Sequence, residues 1–465
     1  MTRKYHEAFV FFVLICSLGV TAQKNVLTKE TAVKLMLENN FGVRIAQNNI
    51  EIADNNQSIL NSGFLPSLTG SAGASYQRDD STFEFPGQFL RDEDGNPVID
   101  GETGNPVPRP DADLYKAEAQ RYNARLTADY VLFDGLGRFY DYKRLKEEYD
   151  LSELQARETI ETTMLQLFSV YYEVARILEN INVFEETYES TADRLKRAEY
   201  SFEFGQSNKL DVLNAEVDLV NDSINLMNER QLLKNTIRDL NIVLNQELEN
   251  AYAVDTTVSF TKTMLVEDFL KEAEKNNVRM LQAEKNTMIN DYSLKASKSV
   301  FLPTVGLTGF YGWNLNQNAP GPFFPGVNVN NTRNFGLGAS LTWNLFDGGS
   351  GVTQIKNARI LLESQEILNE QIAQEIRRDI ANAKGNYFNL LQVYELQEQN
   401  VKTATNNYLR STERYKLGQI SSVELRQAQI NLLNAKTSKN QAKYAAKLAE
   451  LQLLQLTGQL LNVEL

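Results

Sequence analysis

All ten prolines of this chain fall in two windows, Pro66 to Pro110 and Pro303 to Pro325, and no other feature constrains the fold as strongly. Proline removes a backbone donor and clashes with the preceding helical turn, so everything outside those windows is free to run as unbroken helix. The apolar pattern there has a period of seven: Ile160, Met164, Leu167, Tyr171, Val174, Leu178 and Ile181 alternate steps of four and three. Ile376, Ile380, Ala383, Tyr387, Leu390 and Tyr394 do the same, as do Leu210, Leu213, Val217, Val220, Ile224 and Met227. Such seams ask for coiled-coil partners. At about 1.5 Å per residue the longest arm, residues 136–203, would reach about 100 Å, far beyond the helices of an ordinary bundle.

The chain is written twice. Asn39-Asn40 returns as Asn276-Asn277 and Phe64-Leu65-Pro66 as Phe301-Leu302-Pro303, both 237 residues on. Leu132-Phe133-Asp134-Gly135 returns as Leu345-Phe346-Asp347-Gly348, and Phe204-Gly205-Gln206 as Leu417-Gly418-Gln419, both 213 on. The halves therefore differ by a 24-residue insertion, an enlarged loop at about residues 79–120.

Between the prolines and each Leu-Phe-Asp-Gly motif the period becomes two. Leu68, Gly70, Ala72, Ala74 and Tyr76 share a face, as do Tyr122, Ala124, Leu126, Ala128, Tyr130 and Leu132. In the second half Val305, Leu307, Gly309, Tyr311, Trp313 and Leu315 form one such face, and Phe335, Leu337, Ala339, Leu341, Trp343 and Leu345 another. The alternate positions are polar or small, and Arg125 and Asp129 lie only there. Strands with one wet face fit this, each long enough for a tilted crossing of a hydrocarbon layer. Tyr76, Tyr130, Trp313 and Trp343 stand where an interfacial aromatic girdle would need them.

The expected order is thus a signal segment (1–22), a first repeat (23–250) and a second repeat (264–465), with a linker (251–263) between them. The first repeat holds strands 66–78 and 121–133, a long helix 136–203, a tip turn near 205 and a helix 208–246. The second holds strands 303–316 and 332–346, a long helix 350–416, a tip turn near 418 and a helix 421–457. Arg3, Lys4, the apolar run Ala8 to Val20 and the small residues Val20 and Ala22 predict a secretion signal cleaved near Ala22. Leu14 and Ile15 before Cys16 are not the small residues that lipid attachment wants.

Without residues 1–22 the chain has neither Cys nor His, which excludes disulfides, zinc fingers and Ser-His or Cys-His catalysis. The formal charge of −13 over the full sequence argues against nucleic acid. No later segment is apolar for long enough to be a membrane helix, so strands must do any spanning. Four strands cannot close a barrel, and an open edge in lipid leaves backbone groups unsatisfied. Three chains would supply twelve strands, with twelve helical strands gathered into a hollow cylinder beneath.

Taken together, these features resemble the TolC-type outer membrane efflux family over the whole chain after the signal. The resemblance is carried by the order helix, strand, strand, long helix, glycine turn, helix, by Leu27-Thr28, Ala32-Val33 and Asn39-Asn40, and by the Phe-Leu-Pro and Leu-Phe-Asp-Gly motifs. Phe204-Gly205-Gln206-Ser207 with Asp211-Val212-Leu213-Asn214-Ala215, and Lys416-Leu417-Gly418-Gln419-Ile420-Ser421, are similar to the family's hairpin tips. It implies a mainly α protein with a membrane β-barrel: a homotrimer whose twelve-stranded barrel sits in outer-membrane lipid above a periplasmic tunnel. It further implies a passive duct, not an enzyme and with no cofactor, fed through a periplasmic adaptor (membrane fusion protein) by an inner-membrane pump, in efflux or type I secretion. The linker would join an equatorial belt.

By the same resemblance the adaptor-facing tips are Phe204, Gly205, Gln206 and Ser207 with Lys416, Leu417, Gly418 and Gln419. The tunnel constriction falls on Glu424, with Asp211 its counterpart in the first half. Asn214 and Gln427 stand where the family has a second acidic ring, and here they are not acidic. A local reading competes: Asn208 with Asp211, and Ser421 with Glu424, are spaced as helix caps with an acid in the first turn, and one residue can serve both roles. Asp92-Glu93-Asp94-Gly95-Asn96 lacks the further ligands of a twelve-residue calcium loop and reads as a solvated hairpin. A secreted coiled-coil scaffold or adaptor would share the heptads and glycine turns but gives no reason for four alternating strands.

Overall fold

The computed structural model describes residues 26–261, 263–320 and 326–462, without the side chains of Leu114 and of residues 263–265. The expected signal, with Cys16 and the cleavage point near Ala22, lies outside the described residues. In chain order the elements are β1 (Val26–Leu27), α1 (Lys29–Asn39), α2 (Phe41–Gln57), β2 (Ser67–Phe83), β3 (Ala112–Asp134), α3 (Gly137–Glu203) and α4 (Lys209–Leu244). Then come β4 (Ala253–Val254), α5 (Thr263–Asn276), α6 (Val278–Ser297), β5 (Thr304–Asn318), β6 (Asn328–Thr342), α7 (Ser350–Lys416) and α8 (Ser422–Leu456). Helices α3 and α7 have 67 residues each, and both their first and last residues stand 213 apart.

Two compact units divide the chain. The first draws on the chain up to Asn55, Lys146–Ile289 and Leu362 onward; the second comprises Asn56–Leu145 and Asn290–Leu361.

The first unit is helical apart from the short parallel pair β1 and β4. Its core gathers Phe168, Tyr171 and Tyr172 of α3 with Leu240 and Leu244 of α4, Tyr444 and Leu451 of α8, and Met36 of α1. A second cluster joins Ala383 and Tyr387 of α7 to Leu453 of α8. The α3 seam is thus buried but for half-buried Ile160 and Leu178, and the α7 seam buries Ile376, Ala383 and Tyr387 while Ile380, Leu390 and Tyr394 stay half-buried. The α4 seam differs. Leu210, Leu213, Val217, Val220, Ile224 and Met227 are 46–66% exposed, because α4 turns Val212, Ala215, Asp222 and Leu226 inward instead. The spacing alone does not say which of two heptad faces meets the neighbour.

The repeated asparagines are joints. Asn40 Oδ1 accepts from Gly42 N at 2.8 Å while its Nδ2 donates to Val243 O at 2.8 Å, near the end of α4. Asn277 Oδ1 accepts from Arg279 N at 3.0 Å while its Nδ2 donates to Leu456 O at 2.8 Å, the end of α8. One side chain thereby satisfies orphan groups of two helices at once. Beside the second joint, Arg157 Nη2 donates to Asn276 O and Gly458 O at 3.2 and 3.1 Å, setting a cation at two helix C-termini.

The segment between the halves is strapped to the helices. Lys443 Nζ donates to Thr256 O at 2.9 Å, Lys447 Nζ to Ser259 O at 2.8 Å, and Glu450 Oε1 accepts from Thr261 N at 3.1 Å. Burial holds the Lys447 ammonium below the ordinary lysine pKa, against the pull of Glu450 at 3.1 Å.

The second unit carries an antiparallel sheet in the order β2-β3-β5-β6, so β2 and β6 are its edges. Strands β2 and β3 run beyond the expected 66–78 and 121–133, since their pairing continues to Phe83↔Ala112 through a bulge. Strand β6 stops at Thr342, short of the expected 346. There Trp343 Nε1 donates to Phe301 O at 3.1 Å, and Asp347 turns to the next helix, accepting from Gly351 N at 2.6 Å. Asp134 likewise accepts from Arg138 N at 3.0 Å, so the aspartate of each Leu-Phe-Asp-Gly motif caps a 67-residue helix. The enlarged loop folds back on itself through bridges at Phe89↔Pro108, Arg91↔Pro97 and Ile99↔Pro106. Asp92, the first acid of the calcium-like run, accepts from Asn96 N at 2.8 Å and closes a hairpin.

Candidate functional site

Each long helix ends on a glycine in the left-handed region, Gly205 at φ 72° and Gly418 at φ 69°. Gln206 N donates to Ser201 O at 2.7 Å and Gly205 N to Phe202 O at 3.0 Å, a pairing that consumes the last carbonyls of α3. Gln419 N to Arg414 O and Gly418 N to Tyr415 O, both 2.9 Å, repeat it at the end of α7. A side chain at either position would force an L-residue into that region, which is why glycine stands there. Phe204 and Leu417, one residue earlier, project into solvent at 75% and 71% exposure.

The two turns share one cleft of about 610 Å³, lined by Gln206, Ser207 and Asp211 from the first and Lys416, Gly418 and Ser421 from the second. Glu424, Asn214, Gln427, Phe204, Leu417 and Gln419 do not line it. Asn214, Gln427 and Glu424 are exposed, and Gln427 Nε2 donates to Asn431 Oδ1 at 2.9 Å.

Both candidate constriction acids begin helices. Glu424 closes a full capping box: its N donates to Ser421 Oγ at 3.3 Å and its Oε2 accepts from Ser421 N at 2.8 Å. The backbone bond from Ser421 holds the Glu424 carboxyl below the usual glutamate value, with the Ser421 hydroxyl adding to it. Asp211 is capped in one direction only, its N donating to Asn208 Oδ1 at 3.0 Å, and its carboxylate is left half-buried beside the cleft.

Just above the tips lies a cluster that no spacing announced. Asp222 of α4 takes both Arg426 terminal nitrogens, from α8, at 2.7 Å each, and accepts from Thr191 Oγ1 of α3 at 2.7 Å. Gln429 Nε2 donates to Thr191 Oγ1 at 2.9 Å and Thr187 O at 3.1 Å, while Arg194 pairs with Asp218. Thr191 is fully buried and Asp222 nearly so, so three helices are joined through one desolvated forked ion pair. A polar residue at an inward heptad position was the only signal available.

On the sheet, Tyr76, Tyr130 and Trp313 lie on one face, since Tyr76 pairs with Gln120 and Trp313 with Ala124. Tyr76 pairs with Gln120, ten positions from Tyr130 along β3. Trp343 follows Thr342, the last paired residue of β6, and lies just outside the strand. Ten positions at about 3.4 Å place the levels of Tyr76 and Tyr130 about 34 Å apart along β3. Among the described residues no helix is long and apolar enough to cross a membrane, and no three His, Cys, Asp or Glu are placed to hold a metal.

Comparison with known proteins agrees with this architecture. Outer membrane protein TolC of Vibrio cholerae is 23% identical over 322 residues, 67% of this chain and 72% of that protein. Its Escherichia coli counterpart is 22% identical over 312 residues, 64% of this chain and 62% of that protein. The solved Campylobacter jejuni CmeC outer membrane channel superposes with a TM-score of 0.69 at 17% identity, covering 93% of this chain and 86% of that one. The outer-membrane channel OprN gives 0.70 at 17% identity, covering 93% and 90%. A profile of the outer membrane efflux protein family matches residues 32–246 and 269–459, and the chain belongs to that family.

Proposed function

We propose that three copies of this chain assemble into a passive outer-membrane duct, with a twelve-stranded barrel and a tunnel of helices. The observation that carries this reading is the sheet itself. It has one apolar face, and its edge strands β2 and β6, of 17 and 15 residues, have no partner on their outer sides among the described residues. Such edges are untenable in hydrocarbon unless neighbouring chains pair with them. The outward α4 seam makes the same demand in water, since a sustained heptad stripe without a partner exposes its apolar surface. The matching sequence periods, element boundaries and joint asparagines of the two halves support an ancestral duplication.

Tyr76, Tyr130, Trp313 and Trp343 are assigned to the two lipid interfaces. The tip residues Phe204 to Ser207 and Lys416 to Gln419 are assigned to the adaptor, which couples the duct to an inner-membrane pump in efflux or type I secretion. Glu424 and Asp211 are the constriction acids, flanked by Asn214 and Gln427. Crowding of three Glu424 carboxylates raises their proton affinity while the capping box lowers it, and the negative charge of such a ring favours cations.

Purified protein reconstituted in planar bilayers tests the reading. The expected result is heat-modifiable trimers that give stepwise, cation-selective conductance, weakened by Glu424→Gln and Asp211→Asn. A water-soluble monomer without conductance would instead favour a secreted coiled-coil scaffold.

A further inference from the structure

The water face of the sheet carries a feature that neither girdle nor tip explains. From Ser67↔Asp129 to Ser75↔Arg121 that face is built of serine, threonine, asparagine and glycine, and its only charged residues are Arg121, Arg125 and Asp129. Two cations against one anion invert the sign of a chain whose formal charge is −13. Asp129 accepts from Thr308 Oγ1 at 2.7 Å, whereas the Arg125 guanidinium has no hydrogen bond or ion pair among the described residues.

Arg125 is nonetheless held in place. Its guanidinium carbon lies 3.9 Å from the centre of the Phe310 ring, the one large apolar side chain on the water face of β5. Phe310 in turn lies over Gly336, where a Cβ would come within 2.6 Å of the ring, and the Arg125 stem passes Gly312. Glycines on two strands thus make the bed, phenylalanine the platform, and one face of a planar cation is stacked while its N–H fork stays open to water.

We infer that Arg125 on Phe310 is a binding station for carboxylate- or sulfonate-bearing solutes as they cross the barrel. The fork takes two anionic oxygens and the guanidinium's free face stacks on a planar solute. Three copies place three such stations around one lumen, which focuses the effect. The inference rests on the duct reading.

The test is block of single-channel current by pyrenetetrasulfonate added to the barrel side, with hexaamminecobalt as the cationic control. Arg125→Gln is expected to raise the half-blocking concentration of the sulfonate on the order of tenfold, the size of one charge-assisted contact. Arg125→Lys, which keeps charge but loses the fork, and Phe310→Leu, which removes the platform, should each give a smaller rise. Block by the cation should not weaken in any of them. Equal sulfonate block in wild type and Arg125→Gln overturns the station, and Arg125→Lys blocking like wild type reduces it to a bare charge and overturns the forked geometry. Failure of the wild type to conduct at all is a different result and counts against the duct itself.

Discussion

Asp222→Ala should unfasten α8 from the first hairpin. The Asp222 side chain is 3% exposed and that of Arg426 13%, so removing the carboxylate leaves a guanidinium that water reaches poorly with only Asp218, 3.5 Å from its Nε, as counter-charge. Breaking a buried pair by taking one partner costs about 3–5 kcal/mol. At about 1.4 kcal/mol per factor of ten, amide protection at the start of α8 falls by roughly two to three and a half powers of ten if that turn opens as a unit. Hydrogen exchange of the detergent-solubilised protein, read on a peptide covering residues 422–432, measures it. Arg426→Met should do as much by leaving Asp222 unpaired. Asp222→Leu with Arg426→Met should recover most of the loss, since an apolar pair of similar volume avoids desolvating two charges. The 2.9 Å bond from Gln429 Nε2 to Thr191 Oγ1 does not involve either substituted side chain. Unchanged exchange in Asp222→Ala, or a double variant as labile as the two singles combined, refutes the reasoning.

Other consequences follow from the same geometry. Gly458→Ala sets a methyl 2.3 Å from Asn276 O at φ 69° and is expected to abolish recovery of heat-modifiable trimer. Gly418→Ala meets nothing within 4 Å, should cost about 1–2 kcal/mol from backbone alone, and should still assemble. Val217→Asp with Val220→Asp charges the outward α4 seam; native mass spectrometry should then find monomers whose helix content by circular dichroism is unchanged, and intact trimers would dismiss the seam as an interface. Because the native pKa of Glu424 is lowered, its contribution to the first turn of α8 is fully present above the ordinary value of 4.5 and is lost as pH falls through the lowered one. Exchange at residues 421–425, corrected for intrinsic rate, should therefore stay constant from neutral to pH 4.5 and quicken below it, and Glu424→Ala should remove that dependence.

Much of this was legible in residues close together in the chain. The proline windows bounded the helices, and Gly205 and Gly418 marked turns that need a left-handed backbone. Ser421 and Glu424 spelled a capping box, and both are local bonds three residues apart. The period of two put the aromatics of each strand on one face, but which of them are neighbours across strands required the register, which pairs Tyr76 with Gln120 and Trp313 with Ala124. The repeated asparagines were visible as landmarks and silent as joints, because their second partners, Val243 and Leu456, lie about two hundred residues away.

By itself, then, the sequence determined which segments are helix and which are strand, where the chain turns, and that it does so twice, because period, caps and breakers act within a few residues. Only the tertiary structure decided that the α4 heptads face outward, that Asp222 meets Arg426, and that Phe310 lies under Arg125. Each depends on which surface comes to rest against which, and a repeat of seven or two is the same on paper whether its partner is the next helix, another strand or a second copy of the chain.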